Sequence, residues 1–500
     1  MFTQNRAQLR ALAALLLLCS AVLIAGACFK YARWGQGFDM VDFSLPIWGT
    51  LHGKFLLVSR YNFTDSFMGL DVALGFLPAL PFYALFPSNY TLVVIQILLL
   101  VSAAIPVYLI ARDRIGSAWA GVGFAVAYLL YPSTQFMAMA GPFQPRVPAL
   151  VLFFWAFYFL EQRRLWPYLL TLGLAMLART DAALVVVAFG MVAALQRKRW
   201  TFAVWPILVG LVYFYAALTY ITPHFYAPSF QPTQVSLPFD LTRNYNDLWP
   251  CGLSPQACYY IHLGGSLPEI GKNIITHPVE IFFFVFKPTK LQYLALMLGG
   301  LLFLPLLAPR EALLVAPIFA INLLSDRVYQ YVITEQYQIL AIPGLVIAAI
   351  YGGAWLWERL GGRRQAAGTL GRWSLVGMVL VIGALNIPLK NPVISAFRNP
   401  ESAARVAIME RMRDEIPPDA VVAATSFLAP HLLPREELYY IPGGKMHHQI
   451  DEAEYALIDT RASAIQGSGI VERLRSDPNW QLIDAEDDLL LFQQIRGSRP

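Results

Sequence analysis

Charge is what this chain has least of. Asp, Glu, Lys and Arg make up 14% of its 500 residues, against roughly 25% in soluble globular domains, which excludes a water-soluble protein over most of the length. Cysteine is also scarce, at four, too few for a disulfide-built scaffold. Cys19 and Cys28 fall in the first apolar run and read as small buried side chains, whereas Cys251 and Cys258 share the polar loop WPCGLSPQAC and are candidates for a disulfide if it faces an oxidising compartment. There is no glycine-rich phosphate loop, nucleophile elbow or zinc-protease helix, so the familiar soluble chemistries are missing. The adjacent His447 and His448 lack partners at metal-ligand spacing. Nor does the net charge of +5 mark a nucleic-acid surface, because the basic residues stand in short clusters between apolar runs.

What is abundant is apolar sequence, 57% of residues, nearly all of it in the first ~390 positions, while the last ~110 are polar and mixed. The chain therefore reads as an integral membrane protein, with a helical transmembrane domain over 1–392 and a small α/β domain over 393–500. A spanning helix needs about 20 mainly apolar residues. About 11 such runs occur, near 11–29, 90–111, 117–134, 147–161, 165–179, 182–196, 202–221, 290–308, 312–325, 338–356 and 373–389. The run ending AGAC resembles a signal peptide, but the residues before Cys28 fit cleavage poorly, so it is expected to stay as the first span. Clusters at Arg112 and Arg114, Arg163 and Arg164, Arg197 to Arg199, Arg310, and Arg359 to Arg372 fall on one side if the N-terminus is cytoplasmic. An odd number of spans then puts the C-terminal domain outside the plasma membrane. Leu70 to Phe86 contains Pro78 and Pro81 and would invert that pattern as a span, so it is expected to be re-entrant or juxtamembrane within a first external loop over 30–89.

Polar groups collect on the external side of this map. Asp39, Asp42, Trp48 and His52 follow the first span in what reads as a loop, with Asp71 further along. Gln144 and Arg146 stand among prolines after the third span, Arg179 and Asp181 form a hairpin tip, and Asp326, Arg327, Glu335, Gln336 and Tyr337 separate the ninth and tenth spans. The loop over 222–289 holds an amphipathic helix from Leu267 to Phe286 suited to a membrane surface. Plainer readings stand beside a functional one: Asp39 as a helix cap, Arg179 with Asp181 as a structural ion pair, Arg146 snorkelling, His52 as a hydrogen-bonded loop residue. In the tail, a helix over Glu401–Glu415 precedes strands at Ala420–Thr425, Leu438–Ile441, Tyr455–Asp459, Gln481–Asp484 and Leu489–Gln493, with a helix over Gly469–Ser476. No phosphate loop follows the first strand, so no nucleotide site is expected.

Phe38, Asp39, Phe43, Trp48, His52 and Gly53 together resemble the opening motif of domain-of-unknown-function family 2079 of prokaryotic membrane proteins. The likeness continues through LFPS at 85–88, LIAR at 109–112, YLLYP at 128–132, GGSLPE at 264–269, Gln336 with Tyr337, and APHL at 429–432. That family resembles the GT-C superfamily of polytopic glycosyltransferases, which take sugar from a polyprenyl-phosphate carrier on the external face of the membrane. The resemblance implies that Asp39 contacts a metal or activates the acceptor. Departures from the family pattern are Ser44 in place of a second Asp, Gly69-Leu70-Asp71 in place of a His-containing patch, Pro142, Gln144 and Arg146 in place of acid, His and acid, and Arg179-Thr180-Asp181 in place of Lys-Glu-Asp. So few ligands make a divalent metal doubtful. The extra Arg146 instead offers charge to a lipid phosphate. Asp39 is thus the expected base, Arg146, Arg179 and Arg327 the expected phosphate contacts, and Asp42, His52, Asp71, Asp181, Gln336 and Tyr337 further substrate contacts, with an envelope glycan, lipid or protein as acceptor. Two alternatives stand: an inert lipid-binding or scaffolding descendant, and a transporter, which the edge-placed charges and missing inverted repeat disfavour.

Overall fold

The computed structural model describes residues 6–59, 63–228, 230, 239–242, 257–359, 369–386, 391–398, 400–441 and 447–495. Among the described residues, three helices are long and apolar enough to cross a membrane: Arg6–Ala32, Asn89–Ile115 and Trp200–His224. A fourth is added if Pro278–Val285 and Pro288–Gly299, bent by 61° at their junction, count as one. Other runs expected as spans form shorter helices, such as Ala118–Leu129, Leu165–Ala178 and Ala182–Leu195. Proline explains several breaks: it opens the helices Pro132–Met139, Pro278–Val285, Pro288–Gly299 and Pro309–Ala312, where its missing N–H costs nothing but the preceding helix cannot continue.

The middle of the bundle is built from antiparallel neighbours. Arg146–Glu161 packs on Leu165–Ala178, and Ala182–Leu195 packs on Trp200–Ala216. A Cβ at Gly190 would lie 2.6 Å from the Ala203 carbonyl oxygen, so the second pair owes its close approach to this missing side chain. At the far ends of these helices from Arg146 and Asp181, Lys198 reaches Glu161 at 3.4 Å. The basic residues Arg163, Arg164 and Arg197 to Arg199 therefore gather at one end of the bundle and Arg146, Arg179 and Asp181 at the other.

The segment expected as a loop after the first span is instead a helix, Asp39–Leu51. Asp39 and Asp42 occupy its first turn, where carboxylates favour the N-terminal dipole, and Val41, Phe43, Leu45 and Ile47 are buried. Leu70 to Phe86 is broken as its prolines predict, into a 3-10 turn, Leu74–Ala79, and a short helix, Leu80–Leu85. Its Gly75 lies so close to the Pro145 carbonyl that a Cβ would clash at 2.1 Å, which seats the segment against the start of Arg146–Glu161. The amphipathic helix expected over Leu267–Phe286 is two helices, Leu267–Thr276 and Pro278–Val285, because Pro278 interrupts it. Cys258 is disulfide-bonded and Cys19 and Cys28 are free thiols; Cys251, the expected partner, lies outside the described residues.

The tail forms a five-stranded mixed sheet in the order β2-β1-β3-β5-β4, where β1 is Val422–Ala424, β2 Leu438–Tyr440, β3 Tyr455–Asp459, β4 Trp480–Glu486 and β5 Leu489–Gln494. β1 runs parallel to β2 and β3, and β5 runs antiparallel to β3 and β4. One face buries Ile458, Ile470, Leu474, Trp480 and Phe492. The other joins Met409, Met412, Val422, Leu428 and Leu457 to Trp34, Phe38 and Val41, which come from before and within the helix Asp39–Leu51. The two regions therefore share a core. The His431 imidazole is stacked between Tyr31, at 4.4 Å, and Trp34, at 3.9 Å, and the Phe38 N–H donates to Ser426 Oγ at 3.0 Å.

Burial in that sandwich, with the Arg413 guanidinium adding to it, lowers the His431 pKa from 6.5 to about 4. The folded state thus holds the neutral ring; its contribution is complete above pH 6.5 and is lost as pH falls through about 4. Limited proteolysis of the tail should accelerate over that window in the native protein and lose the acid dependence in His431→Phe, which keeps a stacked ring. Trp34→Ala should lower the stability of tail docking by about 3–5 kcal/mol, read as a lower unfolding temperature in detergent.

Candidate functional site: a polar-mouthed cavity with an apolar slot

Four charged side chains meet at the end of the bundle nearest the tail. Arg146 opens the helix Arg146–Glu161, Arg179 and Asp181 flank the turn between Leu165–Ala178 and Ala182–Leu195, and Asp71 comes from the start of the broken segment, ahead of its 3-10 turn. Arg146 donates from Nε and Nη2 to Asp181 Oδ2 at 3.0 and 2.7 Å. Arg179 Nη2 pairs with Asp71 Oδ2, and the Thr180 N–H donates to Asp71 Oδ1 at 3.2 Å. Side-chain exposures are 5% for each arginine, 1% for Asp71 and 19% for Asp181, so these are buried pairs. Burial pushes the Asp181 carboxyl up, but the Arg146 and Arg179 guanidiniums outweigh it and hold its pKa below the usual carboxylate range. The sequence pairs Arg179 with Asp181; in the fold each takes its main partner elsewhere, Arg179 Nε lying 4.0 Å from Asp181 Oδ1.

Beside this quartet is a cavity of about 790 Å³. Its polar mouth is formed by Asp39, Asp42, Arg146, Arg179, Asp181, Arg327, Glu335, Gln336 and Tyr337, with Tyr440 reaching in from the tail. The rest of its lining includes two apolar stripes that form a slot: Leu184, Val187, Ala188 and Met191 on one helix, and Pro317, Ala320, Ile321 and Leu324 on the other. Both follow the i, i+3, i+4, i+7 spacing that lines one face of a helix. Over seven residues the slot runs about 10 Å along the helix axis.

Arg327 is held by aromatic residues at the mouth. Its Nη1 donates to the hydroxyls of Tyr259 at 2.7 Å and Tyr337 at 2.6 Å, and its guanidinium lies over the Tyr259 ring at 4.7 Å. Arg146 lies 5.6 Å over the face of Tyr337, so that ring sits between two guanidiniums. Burial raises the Glu335 pKa, with Asp39 adding to the effect and Arg327 opposing it. Arg179 Nε, Thr180 Oγ1 and Gln336 Oε1 are buried and make no hydrogen bond among the described residues, leaving polar capacity beside the cavity that a ligand could satisfy.

Of the residues selected from sequence, Asp39, Asp42, Arg146, Arg179, Asp181, Arg327, Gln336 and Tyr337 line this one cavity. Asp71 stands behind it, bonded to Arg179. His52 does not reach it: its ring is exposed and stacked on Trp48 at 4.3 Å, with Nδ1 at 2.7 Å from the Trp48 carbonyl. Because the segment is helical, Asp39 and His52 stand at opposite ends of 13 residues, about 20 Å apart. Glu335, Tyr259 and Tyr440 were not selected for the site; Glu335 shares a polar cluster with Gln336, but nothing local in the sequence marks the two tyrosines. A divalent metal does not fit the residues present. Among the described residues no three His, Cys, Asp or Glu side chains are grouped to hold one, and Asp71 and Asp181 are taken up by arginines.

Asp181→Asn leaves the Arg146 guanidinium buried without its counter-ion and should cost about 3–5 kcal/mol. Arg146→Gln combined with Asp181→Asn should restore much of that loss, because both charges go together. Thermal unfolding of the three variants in detergent checks the pattern, and equal destabilisation by the single and double variants would refute the pairing as the cause.

No curated protein sequence matches the chain. Among solved structures, it is similar in fold to ArnT from Cupriavidus metallidurans bound to undecaprenyl phosphate, with a TM-score of 0.54 at 11% identity over 97% of this chain and 99% of that one. The apo form of the same ArnT gives a TM-score of 0.53 at 13% identity over 98% of each chain. The fold is therefore of the GT-C type expected from the motifs. The sequence profile of the family described as Predicted membrane protein (DUF2079) matches residues 35–491, and the chain belongs to that family.

Proposed function

We propose that this protein transfers a glycosyl group from a polyprenyl-phosphate carrier to an acceptor at the extracytoplasmic face of a prokaryotic plasma membrane. The observation that carries the reading is the shape of one cavity, which joins a carboxylate, Asp39, and an arginine, Arg327, at a polar mouth to an apolar slot between two helices. A lipid phosphate sugar has the same division, a charged and hydroxylated head on an apolar tail. That the similarly folded ArnT was solved with undecaprenyl phosphate bound supports this class of ligand. The orientation follows from the basic loops, which gather at the end of the bundle remote from the cavity and belong in the cytoplasm. A disulfide at Cys258 agrees with an oxidising compartment at the cavity end.

In the reaction, the acceptor hydroxyl oxygen attacks the anomeric carbon while the Asp39 carboxylate takes its proton. The bond from that carbon to the phosphate oxygen breaks, its electron pair stays with the polyprenyl phosphate, and attack from the opposite face inverts the anomeric centre. Arg327 stabilises the charge left on the departing phosphate, and its two tyrosine hydroxyls fix the direction in which it points. Arg146 and Arg179, neutralised by Asp181 and Asp71, serve mainly to hold the wall, although Arg179 Nε, which makes no hydrogen bond among the described residues, leaves one further donor toward a head group.

Transfer from radiolabelled polyprenyl-phosphate sugars by purified protein is the test. Asp39→Asn should lose at least about 100-fold in turnover, and Ala188→Trp, which fills the slot, should raise KM for the donor with a smaller effect on kcat. Unchanged turnover in Asp39→Asn refutes the base assignment. Donor binding without turnover for any sugar would favour an inert lipid-binding protein instead.

A further inference from the structure

A second cavity, of about 480 Å³, lies on the other side of the segment that carries Glu335. Its walls are the outer end of the first helix, Lys30 and Arg33 to Gly35, the helix Pro132–Met139 through Phe136 and Met139, the helix Pro392–Arg398 through Ser395 and Ala396, and Phe427 from the tail. Thr334 lines this cavity while the next two residues, Glu335 and Gln336, line the first. One short stretch of backbone therefore separates the two. On the opposite side the same relation holds, with Trp34 and Gly35 in the second cavity and Asp39 in the first.

The second cavity is cationic. Lys30 Nζ donates to the Met139 carbonyl at 3.0 Å and Arg33 Nη1 to the Glu401 carbonyl at 3.3 Å. Both contacts are to neutral backbone oxygens, and among the described residues neither cation has a carboxylate partner. The one acidic residue in the wall, Glu401, is already engaged by Arg461 at 2.9 Å and Arg405 at 3.6 Å. An ammonium carries three N–H donors and a guanidinium five, so most of their hydrogen-bonding capacity is unspent. Two such cations converging on a cavity favour a phosphate oxygen over any neutral group.

Position identifies the source of that phosphate. The first helix exposes Leu17, Leu18 and Val22 along its length, as a lipid-facing helix does, and Lys30 and Arg33 stand at the end where it leaves the apolar zone. Ile394 and Phe397 are exposed beside them, and Phe397 stacks on Phe29 at 5.2 Å. A cationic pocket rimmed by exposed apolar side chains at a helix end lies at the depth of lipid head groups.

We infer that this second cavity binds the phosphate of an anionic membrane lipid, and that this lipid is the acceptor of the transfer. The second half rests on the glycosyltransferase reading; the first half does not. With its phosphate on Lys30 and Arg33, the lipid's polar head group lies against the Thr334–Glu335 and Gly35–Asp39 segments, whose other side faces the cavity that Asp39 lines. The donor enters through the slot and the acceptor from the opposite side, so the two lipids need not exchange places in one groove.

Binding is measured first, on purified full-length protein in nanodiscs of zwitterionic lipid, by titrating fluorescent phosphatidylglycerol. Lys30→Gln with Arg33→Gln should weaken binding by at least about tenfold. Ala396→Trp, which fills the cavity without removing either cation, should do the same, while Arg33→Lys should retain part of the affinity. Inorganic phosphate at millimolar concentration should compete weakly; full displacement by phosphate alone would overturn the lipid assignment in favour of a soluble anion. Equal affinity for phosphatidylglycerol in the native protein, the double variant and Ala396→Trp overturns the site. In the transfer assay, the double variant should raise KM for an anionic lipid acceptor and leave both donor KM and slow donor hydrolysis unchanged, whereas Asp39→Asn abolishes both transfer and hydrolysis. Loss of lipid binding in the double variant together with an unchanged acceptor KM would keep the binding site and refute its role as the acceptor site. A protein that binds the lipid through Lys30 and Arg33 but transfers no sugar would fail the glycosyltransferase reading alone.

Discussion

The arrangement depends most on the buried quartet of Asp71, Arg146, Arg179 and Asp181. Each arginine finds its main partner on a different stretch of chain, so the two ion pairs bind the start of one helix, the turn between two others and the broken segment into a single rigid wall. Taking four charges out of water is costly, and only mutual neutralisation with close hydrogen bonds offsets it. The return is specificity of position, since a one-residue slip of any of these elements would leave a charge buried alone. Every other feature of the large cavity is placed relative to this wall.

The tail is the second constraint. Trp34, Phe38 and Val41 complete a hydrophobic core that otherwise belongs to the sheet, and the Phe38 N–H, one of the free donors at the start of a helix, is satisfied by Ser426. Asp39 is the next residue. Its place at the cavity mouth is therefore fixed by the tail as well as by the bundle.

Local pattern made much of this visible. The five strands of the tail follow from alternation and β-branched runs, and they occur within two residues of where those signals put them. Helix positions in the bundle follow from apolar runs and their prolines. Asp39, Arg327, Gln336 and Tyr337, which the Arg clusters assign to one side of the sequence map, line one cavity although some 300 residues separate the first from the others. Where local reading failed, the cause was tertiary: the acids after the first span read as a loop because two carboxylates close together resemble a solvated turn, while the burial of Val41, Phe43 and Ile47 that stabilises a helix there depends on partners far along the chain.

By itself the sequence determined that this is a membrane protein with a helical bundle followed by a small α/β tail, because hydrophobicity and its period act over a few neighbouring residues. Tertiary structure alone decided which charges neutralise each other, that His52 turns away while Glu335 turns in, and that one strip of backbone divides two cavities. Those outcomes depend on distances between residues remote along the chain, and an ion pair or a cavity wall exists only once the elements that carry it have packed.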